Sequence, residues 1–295
     1  MFRADQPVNT HSEDLLGRHS FAKALANAIL NYRQIDSISV GLFGEWGSGK
    51  TSIINMTLEE IKSISMQSSP LILKFNPWNF SDQNQLVQQF FNELSILLCR
   101  DDSGEKYVKL GRTIKNYSRF FEPFRFVPAL SVVGEAAKAL KSVGEEAEKV
   151  GEESAKNLSA VKNELNSLLE KIGTKLIIVI DDIDRLNNTE IRQVFQLVKS
   201  LADFPNTIYL LSFDKGVVIN ALKKVQEGSG NEYLEKVVQV PFEMPQISEK
   251  EVEQFLFKKI DEIIKDIPEQ NWDQTYWGNI YRVPSVSLLE NLSWA

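Results

Sequence analysis

Residues 44–51 read Gly44-Glu45-Trp46-Gly47-Ser48-Gly49-Lys50-Thr51, a complete G-x-x-x-x-G-K-[ST] motif. The motif follows the apolar run Ile38–Phe43 and precedes a predicted helix that begins at Ser52. Its three glycines allow a tight backbone turn, so that successive N–H groups and the helix N-terminus converge on phosphate oxygens. A strand before and a helix after are the context in which this motif is a phosphate-binding loop.

The residues of this loop have separate predicted roles. Lys50 is expected to reach the β- and γ-phosphates of a nucleotide, and Thr51 to hold Mg²⁺. The remaining contacts to the nucleotide are expected from the rest of the loop and the residue after it, namely Gly44, Glu45, Trp46, Gly47, Ser48, Gly49 and Ser52.

Composition places the chain among ordinary globular proteins. It has 295 residues, of which 43% are hydrophobic and 25% charged, enough for one large α/β domain or two smaller ones. The formal net charge of −7 argues against a broadly basic surface for nucleic acid. The single cysteine, Cys99, excludes an internal disulfide framework and fits a reducing compartment, and its apolar neighbours predict a buried thiol.

We expect a cytoplasmic protein without a transmembrane span. The N-terminus has no apolar signal core. No segment offers the ~18 consecutive apolar residues that a membrane-spanning helix needs. The nearest approach, residues 120–133, is interrupted by two charges and two prolines: Glu122, Pro123, Arg125 and Pro128.

Short apolar runs alternate with helical spacing along most of the chain. Such runs, rich in β-branched residues, predict buried parallel strands at Ile38–Phe43, Leu71–Phe75, Leu176–Ile180, Thr207–Phe213 and residues 237–242. Helices are predicted between them, including Leu86–Leu98 and residues 190–201. This alternation is typical of a doubly wound α/β fold that binds ligands at the carboxyl ends of its strands.

A helical insertion, about residues 100–172, interrupts this alternation. Its second half carries apolar or small residues at heptad-like spacing from Leu140 to Ile172. An amphipathic helix packed against its own domain and a helical hairpin or intermolecular coil explain this seam equally well. After Pro245, Ser248 and Glu251 form a predicted capping box that begins a further helix.

A second group of polar residues follows the apolar strand at Leu176–Ile180. Asp181 is predicted to bind the metal and Asp182 to act as general base on the attacking water. The alternative is that Asp182 and Asp184 cap the next helix. Ser212, at the end of another strand, can sense the γ-phosphate or form a turn, and Lys236 can reach a phosphate or be an ordinary solvated lysine.

Other chemistries are disfavoured by what the sequence lacks. The only two histidines are His11 and His19, and no carboxylate cluster has the spacing of a metal cage, so a zinc enzyme or a histidine-dependent hydrolase is not expected. Many GTPases carry Asn-Lys-x-Asp after a strand, where this chain has Ser-Phe-Asp-Lys at residues 212–215. ATP is therefore the expected nucleotide.

Five segments form a recognisable combination along the chain. They are Leu-Leu-Gly-Arg at 15–18, Gly-Leu-Phe-Gly-Glu-Trp-Gly-Ser-Gly-Lys-Thr-Ser at 41–52, Leu-Lys-Phe-Asn-Pro-Trp at 73–78, Val-Ile-Asp-Asp-Ile-Asp-Arg at 179–185 and Tyr-Leu-Glu-Lys-Val-Val-Gln-Val-Pro-Phe at 233–242. Together they resemble the KAP family of P-loop NTPases, from about residue 14 to about residue 245. The specific parts are the Glu-Trp inside the phosphate loop and the Asp-Asp-x-Asp-Arg ending.

The resemblance implies a three-layer α/β/α fold with a mainly parallel sheet ordered 5-1-4-3-2. It also implies kinship with signalling ATPases that act as nucleotide-gated switches, and a position near the nucleotide base for Gly17 and Arg18. The alternative for Arg18 is a surface residue on the helix that begins there. Family members often carry membrane spans in the insertion, which this sequence lacks. We expect a core at residues 1–245 and a partial helical C-terminal region at residues 246–295.

The predicted function is an ATPase that converts ATP binding and slow hydrolysis into a conformational or assembly switch. The family resemblance, and not the residues themselves, suggests a prokaryotic defence or signalling system as its setting. Self-association or a protein partner is expected through the insertion and the C-terminal helices. One alternative is a scaffold that binds ATP without hydrolysing it. Another, disfavoured by the acidic charge, is a DNA-stimulated motor.

Overall fold

The computed structural model describes residues 6–65, 69–79, 86–99, 104–121, 145–225 and 229–265, together with residues 273 and 275. Its strands are β1 (Ile38–Phe43), β2 (Leu71–Phe75), β3 (Leu176–Ile180), β4 (Thr207–Phe213) and β5 (Val240–Glu243). Its α-helices are α1 (His19–Asn31), α2 (Lys50–Ile64), α3 (Leu86–Leu98), α4 (Glu105–Arg119), α5 (Glu145–Ile172), α6 (Asn188–Gln196), α7 (Lys215–Val225), α8 (Gly230–Val237) and α9 (Glu249–Ile264).

The five strands form one parallel sheet in the order β2-β3-β4-β1-β5. Read from the other edge, this is the predicted order 5-1-4-3-2, so the α/β fold class is confirmed. Four strands have the predicted bounds. The fifth begins three residues later than predicted, because Val237 ends helix α8 instead of starting the strand.

The central strands β3 and β4 are mostly apolar because both of their faces are covered. Every residue of β3 and β4 is buried. On one face, alternate residues such as Ile178, Leu211 and Phe213 join a continuous core with side chains from helices α3 to α8. Continuous runs of β-branched and apolar residues are what a parallel sheet buried on both faces requires.

Helix α6 starts with a capping box and leads into a π-helical turn at Leu197–Leu201. The Asn187 side chain accepts from the N–H groups of Thr189 and Glu190. Asn187, not Asp182 or Asp184, is therefore the cap of this helix. The predicted capping box of α9 is confirmed, since the Ser248 hydroxyl accepts from Glu251 N and the Glu251 carboxylate accepts from Ser248 N.

Helix α5 carries the second half of the heptad-like seam. Leu165 and Leu169 are buried in the core around the sheet, and Leu158, Val161 and Ile172 pack against the same core. The helix also packs on α4, so from Leu158 onward the seam serves the chain's own core. Seam positions before residue 145 lie outside the described residues.

The chain divides into two compact units. One comprises Met1–Ala28, Trp46–Ile61 and Met244–Ala295, and the other comprises Ile29–Glu45 and Lys62–Glu243. The sheet and helices α3 to α8 belong to the second unit. In the first, α1 and α2 run antiparallel. Two contacts show this: the Thr57 hydroxyl donates to the Ala22 carbonyl, and His19 lies beside Glu60. The division predicted from sequence, at residue 245, stays a prediction.

Two expectations concern single features of the sequence. Cys99 is exposed, so the prediction of a buried thiol was wrong; the residue follows the buried Leu98 at the end of α3, and its Sγ lies 3.9 Å from the Val108 carbonyl of α4. Among the described residues, no helix combines the length and apolar character needed to cross a membrane. Most of the apolar segment at residues 120–133 lies outside the described residues.

Leu165→Ala tests whether the α5 seam belongs to this core. Leu165 is fully buried, so we expect the truncation to lower the free energy of unfolding by about 2–5 kcal/mol. Ser167→Ala, at an exposed position of the same helix, is the matched control and should change it by less than about 0.5 kcal/mol. Urea denaturation followed by circular dichroism measures both. Unchanged stability in Leu165→Ala, with loss of an oligomer, would instead identify an intermolecular coil.

Candidate functional site

Three predicted site residues lie at the carboxyl edge of the central strands. Gly44 follows β1 and Asp181 follows β3, while Ser212 is the penultimate residue of β4. The register pairs Leu42 with Ser212 and Ile180 with Leu211, so Asp181 comes next to Ser212. Neighbouring strands are ~4.8 Å apart, which makes these two residues neighbours at the sheet edge.

Ser212 is fully buried, and its hydroxyl has no hydrogen-bond partner among the described residues. Its neighbours Leu211 and Phe213 point into the core, so alternation places Ser212 on the opposite face. The residue lies within a strand, which excludes the turn-forming alternative. A buried hydroxyl without a partner costs about 1–3 kcal/mol, and the cost is removed when a ligand supplies the partner.

Asp181 and Asp182 differ in backbone conformation and contacts. Asp182 has left-handed backbone angles, φ 57° and ψ 34°, which few non-glycine residues adopt. Its N–H donates to the Asp181 Oδ1 at 2.9 Å, and its own carboxylate lies 3.0 Å from the Arg185 Nε. The two carboxylates therefore have different described partners, and Arg185 orients the second one.

Lys74 adds a positive charge near this edge. It lies on β2 opposite Val179, close enough to Asp181 for their charges to attract. Partial burial lowers the pKa of Lys74, the nearby Lys62 lowers it further, and Asp181 opposes both effects. Sequence reasoning assigned Lys74 no role, although the motif at residues 73–78 contains it.

The phosphate loop connects β1 to α2, and two of its glycines have positive φ. Gly47 has φ 78° and Gly49 φ 84°. At Gly49 a Cβ atom would also lie 2.8 Å from the Arg18 Nη1. Gly44 has a different task, because its N–H donates to the Phe213 carbonyl at 3.3 Å and continues the ladder between β1 and β4. Positive φ at both glycines is the backbone turn that the motif requires.

The side chains of the loop divide into buried and exposed groups. Lys50 is the first residue of α2 and only 7% exposed, and the Ser48 hydroxyl is buried without a hydrogen-bond partner in the described part of the chain. Thr51 is half-buried, as is Ser52, whose hydroxyl accepts from Val8 N at 3.0 Å. The remaining two side chains, Glu45 and Trp46, are exposed.

Arg18 holds the loop to a distant part of the first unit. Its guanidinium donates to the Ser48 carbonyl and, at 3.3 Å, to the Pro245 carbonyl. Burial lowers the pKa of Arg18, and the nearby carboxylates of Asp14 and Glu251 oppose that shift. An arginine stays charged in proteins, so the two carbonyls receive a permanent cationic donor. A contact from Arg18 to a nucleotide base stays a prediction.

The arrangement fits an anionic ligand with several phosphate oxygens. Phosphate oxygens accept hydrogen bonds, and the Ser48 hydroxyl, the Lys50 ammonium and the N-terminal N–H groups of α2 are donors. In the second unit, Asp181 and Ser212 lie side by side at the sheet edge. Lys236 takes no part in either group: it is exposed in the last turn of α8.

Three features of the site escaped the sequence reasoning. The i, i+3 spacing of Asp182 and Arg185 was a usable sign of their ion pair. The bond from Arg18 to the Pro245 carbonyl joins residues 227 positions apart and leaves no local signal. Lys74 was visible only as a lysine inside an otherwise apolar strand.

The family model for the KAP family P-loop domain matches residues 18–292. A curated relative, the phage T7 exclusion protein of Escherichia coli (strain K12), is 25% identical over 263 residues. That alignment covers 82% of this chain and 34% of the relative, so the chain spans about a third of the relative's length.

Two solved structures illustrate the structural likeness. The Aeropyrum pernix ORC2 protein, in its ADPNP-ADP complexes, is 12% identical with a TM-score of 0.43, covering 86% of this chain and 54% of that one. The Aeropyrum pernix ORC1 protein in complex with DNA is 14% identical with a TM-score of 0.43, covering 85% and 50%. The chain therefore spans about half the length of each.

Arg18→Ala tests whether the guanidinium holds the loop and the start of α9 in place. We expect faster amide hydrogen exchange in residues 44–51 and 246–251, because two carbonyls lose their donor, while exchange in the sheet stays the same. Lys23→Ala, at an exposed position of α1, is the control. Wild-type exchange in both segments of Arg18→Ala would show that the contact holds neither.

Proposed function

Because the chain belongs to the KAP family of P-loop domains, we propose that it binds ATP with Mg²⁺, hydrolyses it slowly, and uses the nucleotide state as a conformational or assembly switch. One observation carries this proposal. The motif loop, with its two glycines at positive φ, runs from the end of β1 to Lys50 at the start of α2. Such a loop directs backbone N–H groups and a helix N-terminus at phosphate.

The residues of the loop have the roles that phosphate chemistry requires. Lys50 neutralises charge on the β- and γ-phosphates, and the Ser48 hydroxyl and loop N–H groups donate to phosphate oxygens. Thr51 and Asp181 are the residues we assign to Mg²⁺, which supplies further charge neutralisation when bound. The low exposure of Lys50 strengthens this assignment, since an electrostatic contact gains strength away from water.

The sheet edge supplies the groups for hydrolysis. Asp182 accepts a proton from the attacking water, and Arg185 holds its carboxylate in one orientation. Ser212 donates its otherwise unpartnered hydroxyl to the γ-phosphate and thereby distinguishes ATP from ADP. Both roles are proposals that rest on position at the edge and on the hydrogen-bond needs of these side chains.

The contacts of Arg18 supply a route from nucleotide to output. A ligand that moves the loop also moves the Ser48 carbonyl. Because Arg18 donates to both carbonyls, this movement is passed to the Pro245 carbonyl just before α9. The start of α9 is also close to Gly17, since a Cβ at Gly17 would lie 3.4 Å from the Glu251 Oε1. We propose that α9 reports the nucleotide state, because a ligand shifts the conformation that it binds better.

The biological setting is proposed from the curated relative. The name of the Escherichia coli relative states that it excludes phage T7, and we extend a role in defence against phage to this chain. A cytoplasmic location and self-association or a protein partner remain part of the proposal. Since Leu165 and Leu169 of the insertion face the chain's own core, such contacts would use other surfaces of α5 or of α9.

Lys50→Ala tests the proposal as a whole. Removing the ammonium should weaken ATP binding or slow phosphate release about 100-fold or more, as when other transition-state donors are removed, while the circular dichroism spectrum stays the same. Lys224→Ala, at an exposed position of α7, is the matched control. ATP affinity by calorimetry and phosphate release at saturating ATP are the measurements.

The outcomes of this experiment also separate the alternatives. Binding without any phosphate release in the wild-type chain identifies the scaffold that never hydrolyses ATP. Release that rises only with added DNA identifies the motor. Equal affinity and equal turnover in wild type and Lys50→Ala would refute the nucleotide site.

Substitutions at Asp181 and Asp182 test the division of labour between the two carboxylates. Asp182→Asn should retain Mg·ATP but lose hydrolysis, because an amide cannot take the proton from water. Asp181→Asn should raise the Mg²⁺ concentration needed for half-maximal activity. Asp261→Asn, exposed on α9, is the control. Normal hydrolysis by Asp182→Asn would remove it as the base.

A further inference from the structure

The two histidines of the chain converge with a glutamate in the first unit. His11 lies in the 3-10 turn His11–Glu13, His19 is the first residue of α1, and Glu60 comes from α2. The histidine rings are 5.0 Å apart between centroids and tilted by 42°. One ligand atom from each of the three residues lies within 4.8 Å of the others.

Hydrogen bonds outside the trio hold both histidines in position. Asp14 accepts from His19 N at 2.7 Å, which fixes the start of α1. Glu59 accepts from His11 N at 2.7 Å, and its Oε2 lies 3.3 Å from the His11 Nδ1. A carboxylate on one ring nitrogen of a histidine is the arrangement that orients metal-binding histidines.

The described contacts of His19 leave one of its ring nitrogens without a hydrogen-bond partner. The His19 Nε2 is 3.4 Å from the Glu60 Oε1, longer than the roughly 2.7–2.9 Å of a charge-assisted hydrogen bond. The other nitrogen, Nδ1, is buried and has no hydrogen-bond partner in the described part of the chain. A cation placed between the two rings would be bound by both as neutral imidazoles.

We propose that His11, His19 and Glu60 form a site for a divalent transition metal, best suited to Zn²⁺. Two imidazoles and one carboxylate are ligands that Zn²⁺ accepts, and a water molecule would complete four-fold coordination. Glu59 would be the outer carboxylate that orients His11. This site differs from the proposed Mg²⁺ site of the nucleotide in its ligands, because Mg²⁺ prefers oxygen ligands and two of the three ligands here are imidazole nitrogens.

The metal would fasten the N-terminal segment to the helix that begins with Lys50. That segment already follows α2: Val8 N donates to the Ser52 hydroxyl, the Asn55 side chain donates to the Val8 carbonyl, and His11 lies at Glu59. A ligand that binds the folded chain and not the unfolded one raises its melting temperature. Zinc bound here would therefore stabilise the first unit.

Zinc titration of the metal-free chain, without nucleotide, tests the site. In a Cys99→Ser background, which removes thiolate binding, we expect one Zn²⁺ per chain by calorimetry and a higher melting temperature. His19→Ala and Glu60→Gln should each weaken binding at least about tenfold, and Glu59→Gln about 10- to 100-fold as an outer-shell change. Glu170→Gln, exposed on α5, should bind like the parent.

Several results would overturn the site. These are the absence of zinc binding at micromolar concentrations, or binding that His19→Ala and Glu60→Gln leave unchanged. His11→Asn, at an exposed position, supplies a third variant should His19→Ala lower the melting temperature of the metal-free chain. Binding that millimolar Mg²⁺ abolishes would also contradict it. None of these measurements involves ATP, so failure of the nucleotide proposal leaves them interpretable.

Discussion

The pairing of β4 between β1 and β3 is the constraint on which the arrangement of this chain depends. β4 is buried at every residue and hydrogen-bonds in parallel on both sides, with Ile208 between Ile38 and Ile177. A slip by one residue would turn Ser212 into the core and bring Leu211 to the opposite face. The same register sets the heights at which Gly44 and Asp181 leave the sheet. The chemistry proposed for this edge is therefore determined by a ladder made almost entirely of apolar residues.

Much of this fold could be predicted because its signals are local. Continuous apolar runs marked four strands to the residue, and Ser248 with Glu251 marked the start of α9. The start of β5 was misplaced, because the pair Val237-Val238 fits the end of a helix as well as the start of a strand. The burial of Cys99 was predicted from its apolar neighbours, although the residue is exposed just beyond the last residue of α3.

The rest could not be predicted because it depends on distance in space. The heptad-like seam of α5 has the same spacing whether it packs on its own core or on a second chain, and only the burial of Leu165 separates the two. The trio of His11, His19 and Glu60 was overlooked, since metal-ligand spacing was sought within one segment and its members come from three. For the loop, the motif predicted the turn but not that Gly44 would be tied to Phe213.

The bonds from Arg18 end on main-chain oxygens of Ser48 and Pro245, not on side chains. Any residue at those two positions offers the same acceptor, so substitutions there need no compensating change at position 18. Evolutionary covariation between positions 18, 48 and 245 would consequently carry no trace of this contact, however strongly it is selected. Its signature would instead be a guanidinium retained at position 18 while the residue at position 245 changes.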